Sequence, residues 1–128
     1  MKIPDDPVDR FCNERNLSDG TRAGYVHTIS LFEKVINLTI HEALTIADNE
    51  KQTIFEDTSL YDWLIIFRNH IFNTFKEGTA LLYLTRVKAI FHHYKIPMGE
   101  LPYFSTKQTR KSEEIDYEDL PNREILKK

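Results

Sequence analysis

Apolar residues recur along this chain at helical spacing, and no stretch of useful length alternates in the two-residue rhythm of a strand. Val8, Phe11 and Cys12 form the first short stripe. It follows Pro7, which suits the first position of a helix, with Asp6 as cap and Asp9 in the first turn. That helix is expected to end at Asn16 or Leu17. In the second, Ser18 caps, Asp19 favours the positive helix end, and Tyr25, Ile29, Phe32 and Ile36 repeat with Val35 beside them. Gly20 and Gly24 lie inside it, each costing up to ~1 kcal/mol against alanine, so close packing is the expected reason for Gly24. Its polar side carries Thr21, Arg22, Thr28 and Lys34. Thr39 followed by Glu42 reads as a capping box that opens a third helix through Ala43, Leu44, Ile46 and Ala47. A fourth is expected from Thr58 or Ser59 to Phe75, on Leu60, Trp63, Leu64, Phe67 and Ile71, with Ile66 and Phe72 widening the stripe.

The fifth helix organises the rest. Gly78 breaks the chain and Thr79 offers a capping hydroxyl. Ala80, Tyr83, Leu84, Val87, Phe91 and Tyr94 then gather on one side. Thr85, Lys88 and His92 lie opposite, flanked by Lys95 on one edge and by Arg86 and His93 on the other. Leu81 and Leu82 fall toward this polar side. Pro97 forbids continuation. Met98 to Phe104 reads as extended, with Leu101, Tyr103 and Phe104 able to dock on the bundle. Residues 105–116 are polar and aperiodic, a linker signature, and residues 119–126 resemble the opening of another helix. The expectation is an all-α protein: a compact bundle of four to five helices over residues 1–104, with an extended C-terminal linker over 105–128. The linker implies a longer parent chain.

At 128 residues the chain suits one domain able to bury a core. A single cysteine, Cys12, excludes an internal disulfide and a multi-cysteine zinc site. No run approaches the ~20 apolar residues needed to cross a bilayer, and the opening MKIPDDPVDR lacks a signal-peptide core, so a cytoplasmic location is the default. The net charge of −3, taken alone, argues against nucleic acid. Its distribution argues otherwise. Residues 79–112 hold Arg86, Lys88, Lys95, Lys107, Arg110 and Lys111 against Glu100 alone, whereas residues 39–60 hold Lys51 against five acids.

A helix with one buried and one basic side suits a polyanion. Arg86, Lys88 and Lys95 are the candidate phosphate contacts, with Thr79, Tyr83 and Thr85 as hydroxyl donors and His92 beside them. The helix start around residues 78–80 offers backbone N–H groups. Thr21, Arg22 and Lys34 on the second helix are the companion set. The competing reading of both faces is plain solvation. The chain has no Gly-rich phosphate loop, nucleophile elbow or Cys/His arrangement, and His92 and His93 point about 100° apart rather than sharing a metal. No catalytic residue, metal or cofactor is expected. Tyr25, Tyr83 and Tyr94 are expected to pack with their hydroxyls reaching the surface.

Two stretches carry a resemblance to a known family. One is Ser18-Asp19-Gly20-Thr21 through Tyr25 to Phe32. The other is Thr79, Tyr83-Leu84, Val87-Lys88 and Ile90-Phe91, then Ile96-Pro97 and Leu101-Pro102. Together they resemble the N-terminal core-binding domain of tyrosine recombinases, the phage-integrase-like enzymes, a sterile-alpha-motif-like helical bundle. The tail from Leu120 to Ile125 is similar to the start of that family's catalytic domain. The resemblance implies a parent enzyme that cuts and rejoins duplex DNA through a phosphotyrosine intermediate, with every catalytic group in the downstream domain. It implies three partners: duplex DNA, that downstream domain, and other recombinase protomers in a synaptic complex; Leu81 and Leu82 would either touch such a protomer or cover a neighbouring helix end. The piece at hand would form half of a clamp around DNA. Two alternatives are a helical protein-interaction module working through its acidic third helix, and a small transcription regulator with a recognition helix.

Overall fold

Four of the five helices begin at a side chain that captures a free backbone N–H. The computed structural model describes residues 2–103, so the linker, Phe104 and the Leu120–Ile125 resemblance lie outside the described residues. The helices are α1 (Pro7–Glu14), α2 (Asp19–Ile36), α3 (Ile40–Asn49), α4 (Ser59–Thr74) and α5 (Glu77–His93). A 3₁₀ turn at Phe55–Asp57 precedes α4, and no strand occurs among the described residues. Asp6 accepts from the Asp9 N–H at 3.1 Å and Ser18 from the Thr21 N–H at 3.3 Å. Thr39 and Glu42 close the expected capping box at 3.1 and 3.0 Å, and Thr58 accepts from the Tyr61 N–H at 3.2 Å. Each such cap contributes about 1 kcal/mol.

α5 departs from expectation. It starts at Glu77, two residues before Thr79, with Lys76 at the N-cap and no side-chain cap. Only Phe75 and Lys76 separate it from α4, so the chain must re-enter a helix at once. Glu77 places a carboxylate at the positive helix end in place of a capping hydroxyl. At the other ends, α1, α2 and α5 close alike, on a left-handed residue: Asn16 at φ 52°, Asn37 at φ 62° and Lys95 at φ 62°. The following N–H reaches back five residues in each case, as in Ile96 to the Phe91 carbonyl at 3.0 Å. α1 therefore stops at Glu14, short of the expected Asn16 or Leu17, and Lys95 lies beyond α5 rather than on its face.

The core sits where α2, α4 and α5 meet. Phe32 is edge-on to Phe67 at 5.2 Å and to Phe91 at 5.9 Å, and all three rings are fully buried. Phe11 and Cys12 of α1, and Ala43, Leu44 and Ala47 of α3, complete the cluster. Burying each large apolar side chain contributes roughly 1.5–3 kcal/mol. The buried stripe of α4 is Leu60, Leu64, Phe67 and Ile71, with Trp63 and Phe72 partly covered. Ile66, 100° from Phe67, is half exposed and does not widen the stripe.

The segment after α5 runs back along the bundle. The Tyr94 hydroxyl donates to the Pro7 carbonyl at 2.6 Å, Ile96 is buried, and Leu101 packs against the core. Arg68, which is buried on α4, donates to the Pro102 carbonyl and to Asn69 Oδ1. Burial pulls its guanidinium below the usual arginine value. Tyr103 is 91% exposed, so the expected docking reaches Leu101 but not Tyr103.

Candidate nucleic-acid interface

α2 and α5 pack antiparallel. His27 meets Tyr83 ring to ring at 5.7 Å, while three residues on in α5, and three back in α2, Arg86 Nη1 donates to the Gly24 carbonyl at 3.3 Å. Gly24 is a glycine for a packing reason, as expected: a Cβ there would sit 2.6 Å from Arg86 Nη2. Arg86 also donates to Thr28 Oγ1 at 3.2 Å and lies 5.8 Å over the Tyr25 ring. Thr28, placed by periodicity on the polar side of α2, is instead fully buried in this seam, its hydroxyl donating to the Gly24 carbonyl at 2.9 Å.

The structure sorts the remaining candidates. Thr85, Lys88 and His92 share the outward side of α5, together with the half-exposed Leu81 and Leu82. Lys34 lies on the outward side of α2, near its C-terminal end, so antiparallel packing puts it at the end opposite Lys95. Among the described residues no carboxylate pairs with Arg86, Lys34, Lys88 or Lys95. Lys88 does share a groove of ≈ 400 Å³ between α4 and α5 with Glu77, Glu100 and Arg68. Thr79 is half buried in the first turn of α5, and Tyr83 is held between His27 and the Phe75 ring at 5.2 Å.

Two members of the companion set have other partners. Arg22 pairs with Asp9 of α1 at 2.8 Å and donates to Asn13, and Thr21 receives a hydrogen bond from Ser18 at 3.1 Å within the cap. Arg22 therefore fastens α1 to α2 and does not share a face with Lys34. His93 was not among the candidates. It sits 2.7 Å from Glu14 Oε1 and edge-on to Phe11 at 5.0 Å, tying α5 to α1. The His93 bond, then the Arg10 bond, hold the Glu14 carboxyl below its usual value. Periodicity flagged His93 as a flank residue, but nothing local to it in the sequence names a partner 79 residues away.

The acidic third helix is partly committed as well. Glu50 accepts from the Ser59 N–H at 2.7 Å and hydroxyl at 3.0 Å, starting α4, and Asp48 pairs with Lys51 at 3.1 Å. Among the described residues no helix is long and apolar enough to cross a membrane, and no cluster of His, Cys, Asp and Glu could hold a metal. The fold and site thus define an all-α domain with cations along two adjacent helices. Scans of family models, curated proteins and solved structures each return no match.

Proposed function

We propose that this domain is the non-catalytic DNA-contacting arm of a site-specific tyrosine recombinase, laid against duplex DNA by α2, α5 and the turn after α5. The observation that carries this reading is a division among the cations. Arg10, Arg22 and Lys51 each have a carboxylate partner, whereas Lys34, Lys88 and Lys95 have none among the described residues, a state they share with Lys2, Arg15 and Lys76. Exposed lysines such as Lys34 and Lys95 are free to exchange condensed counterions for a phosphate, whereas Lys88 is half buried in the groove that Glu77 and Glu100 also line. The conformation of Lys95 adds weight. Its left-handed backbone is the kind that α1 and α2 fill with asparagine, and a β-carbon there costs roughly 1–2 kcal/mol. A cation at the helix C-terminus recovers part of this through the helix dipole. The sequence resemblance supplies the recombinase class, and with it the downstream catalytic domain, synaptic protomers and DNA as partners. Contacts of this kind position a protein on the duplex without reading its sequence.

The test is binding to a duplex of about 20 base pairs and arbitrary sequence, between about 50 and 200 mM salt. The wild-type chain is expected to bind weakly, with affinity falling steeply as salt rises. The Lys34→Ala/Lys88→Ala/Lys95→Ala variant is expected to lose roughly 2–3 units of the log–log salt slope, about 0.9 per phosphate contact. Binding that ignores salt, or a triple variant that matches wild type, would overturn the proposal. A specificity ratio of ~10³ or more would favour a transcription regulator. A second reading, a protein-interaction module, rests on the exposed Leu81 and Leu82, and predicts no salt-sensitive DNA binding at all.

A further inference from the structure

We propose that Arg86 is a preoriented phosphate-binding fork, seated on Gly24 in the seam between α2 and α5. The inference deepens the DNA-arm reading and rests on it for the identity of the phosphate, though the anion site itself stands on geometry.

An arginine carries five donors. Here Nη1 is occupied by the Gly24 carbonyl and Thr28 Oγ1, and Nε and Nη2 donate to nothing among the described residues. The guanidinium is half buried and pairs with no carboxylate among the described residues. Arg22, two residues before Gly24 on α2, shows the ordinary resolution of such a charge, bound to Asp9 and Asn13. Arg86 instead meets neutral acceptors that orient it: a carbonyl, a buried hydroxyl itself bound to that carbonyl, and the Tyr25 ring face.

The seat is specific. A β-carbon at Gly24 would stand 2.6 Å from Nη2 and 2.8 Å from Cζ, so residues larger than glycine displace the guanidinium. Glycine is the poorest helix former after proline, and α2 carries this one in its interior. With Nη1 tethered, Nε and Nη2 have no acceptor among the described residues, and they are the donor pair that can take two oxygens of a phosphate. The tethered arginine has less side-chain freedom to lose on binding than the exposed Lys34 or Lys95. Arg86 thus supplies a fixed contact around which the mobile lysines add charge.

The experiment separates seat, charge and fold. Gly24→Ala keeps the charge and moves the guanidinium; Arg86→Lys keeps the charge and removes the fork; Arg86→Gln removes both. Each is compared with wild type by thermal unfolding and by the salt slope on the arbitrary duplex, and wild type and Gly24→Ala are also titrated with inorganic phosphate, followed on the Arg86 Nε–H resonance. Arg86→Gln is expected to lower the salt slope by about 1, the share of one phosphate. Arg86→Lys is expected to keep the slope while weakening binding. The Arg86 resonance should shift with phosphate in wild type and not in Gly24→Ala. If all three variants bind duplex like wild type, and the resonance ignores phosphate, Arg86 only ties α2 to α5 and the proposal is overturned, with the lysine interface left standing. If wild type binds no duplex but the resonance still answers phosphate, the DNA reading fails and the anion site remains.

Discussion

The flank built by α1 and the outward face of α5 both carry arginine, lysine and histidine, yet the two regions use them in opposite ways. On the α1 flank Arg10, Arg22 and His93 close on carboxylates, while Arg15 lies over the Phe11 ring at 5.2 Å. Arg10 and His93 converge on Glu14 at 3.0 and 2.7 Å, and Arg22 reaches Asp9 at 2.8 Å. On the outward face of α5, and beyond its end, Lys88, His92 and Lys95 meet no carboxylate among the described residues. The first arrangement fixes a short helix that has only Pro7, Val8, Phe11 and Cys12 to bury. The second leaves charge available to a partner. The difference shows that counting cations along a stretch says little until each has been asked which carboxylate it can reach.

Both regions rest on the same core, so the largest effect comes from opening it. Phe91→Ala removes a fully buried ring packed on Phe32 and should cost about 3–5 kcal/mol, read by denaturant titration, abolishing the α1 ion pairs and the basic face together. A smaller loss isolates the α1 flank. Tyr94→Phe deletes the bond to the Pro7 carbonyl and should cost about 1 kcal/mol near neutral pH. Burial pushes the Tyr94 hydroxyl up to about 12. The folded state thus holds the phenol neutral where the unfolded chain ionises near 10. The stability this lends is complete below that value and lost as pH rises toward about 12. Tyr94→Phe should flatten the alkaline limb of a stability–pH profile.

On the basic side, Lys95→Gly should raise stability by up to about 1 kcal/mol by relieving the left-handed backbone, while weakening duplex binding. Stability and binding moving together would contradict the assignment. The smallest effect is expected from Glu14→Gln. Because its folded carboxyl lies below the ordinary range, chiefly through His93, its contribution is present above that range and vanishes as pH falls through the folded value. The variant should lose the acid-side slope in thermal unfolding and leave DNA binding untouched.

Much of the fold could be read from local chemistry. Asp6, Ser18, Thr39 and Thr58 capture nearby N–H groups, and the apolar periodicity of α2, α4 and α5 places Phe32, Phe67 and Phe91 inside. The start of α5 was misplaced because Thr79 has the chemistry of a cap. A two-residue turn after α4 overrides that preference and puts Glu77 first. The site was legible in part. Periodicity placed Thr85, Lys88 and His92 outward, but it could not see that Thr28 turns into the seam under Arg86, or that Arg22 finds Asp9 thirteen residues earlier. Those outcomes depend on which helices become neighbours, and helical spacing carries no information about that. Arg68 was missed for the same reason: its acceptor on Pro102 is thirty-four residues downstream.

The most direct test of the division between the two regions is to titrate an unlabelled duplex into ¹⁵N-labelled protein at low salt and follow every backbone amide. Progressive shifts are expected at Lys34, Thr85, Lys88, His92 and Lys95, with Asp9, Arg10, Asn13 and Glu14 unmoved. Shifts confined to α1, or none on α5, would contradict that division.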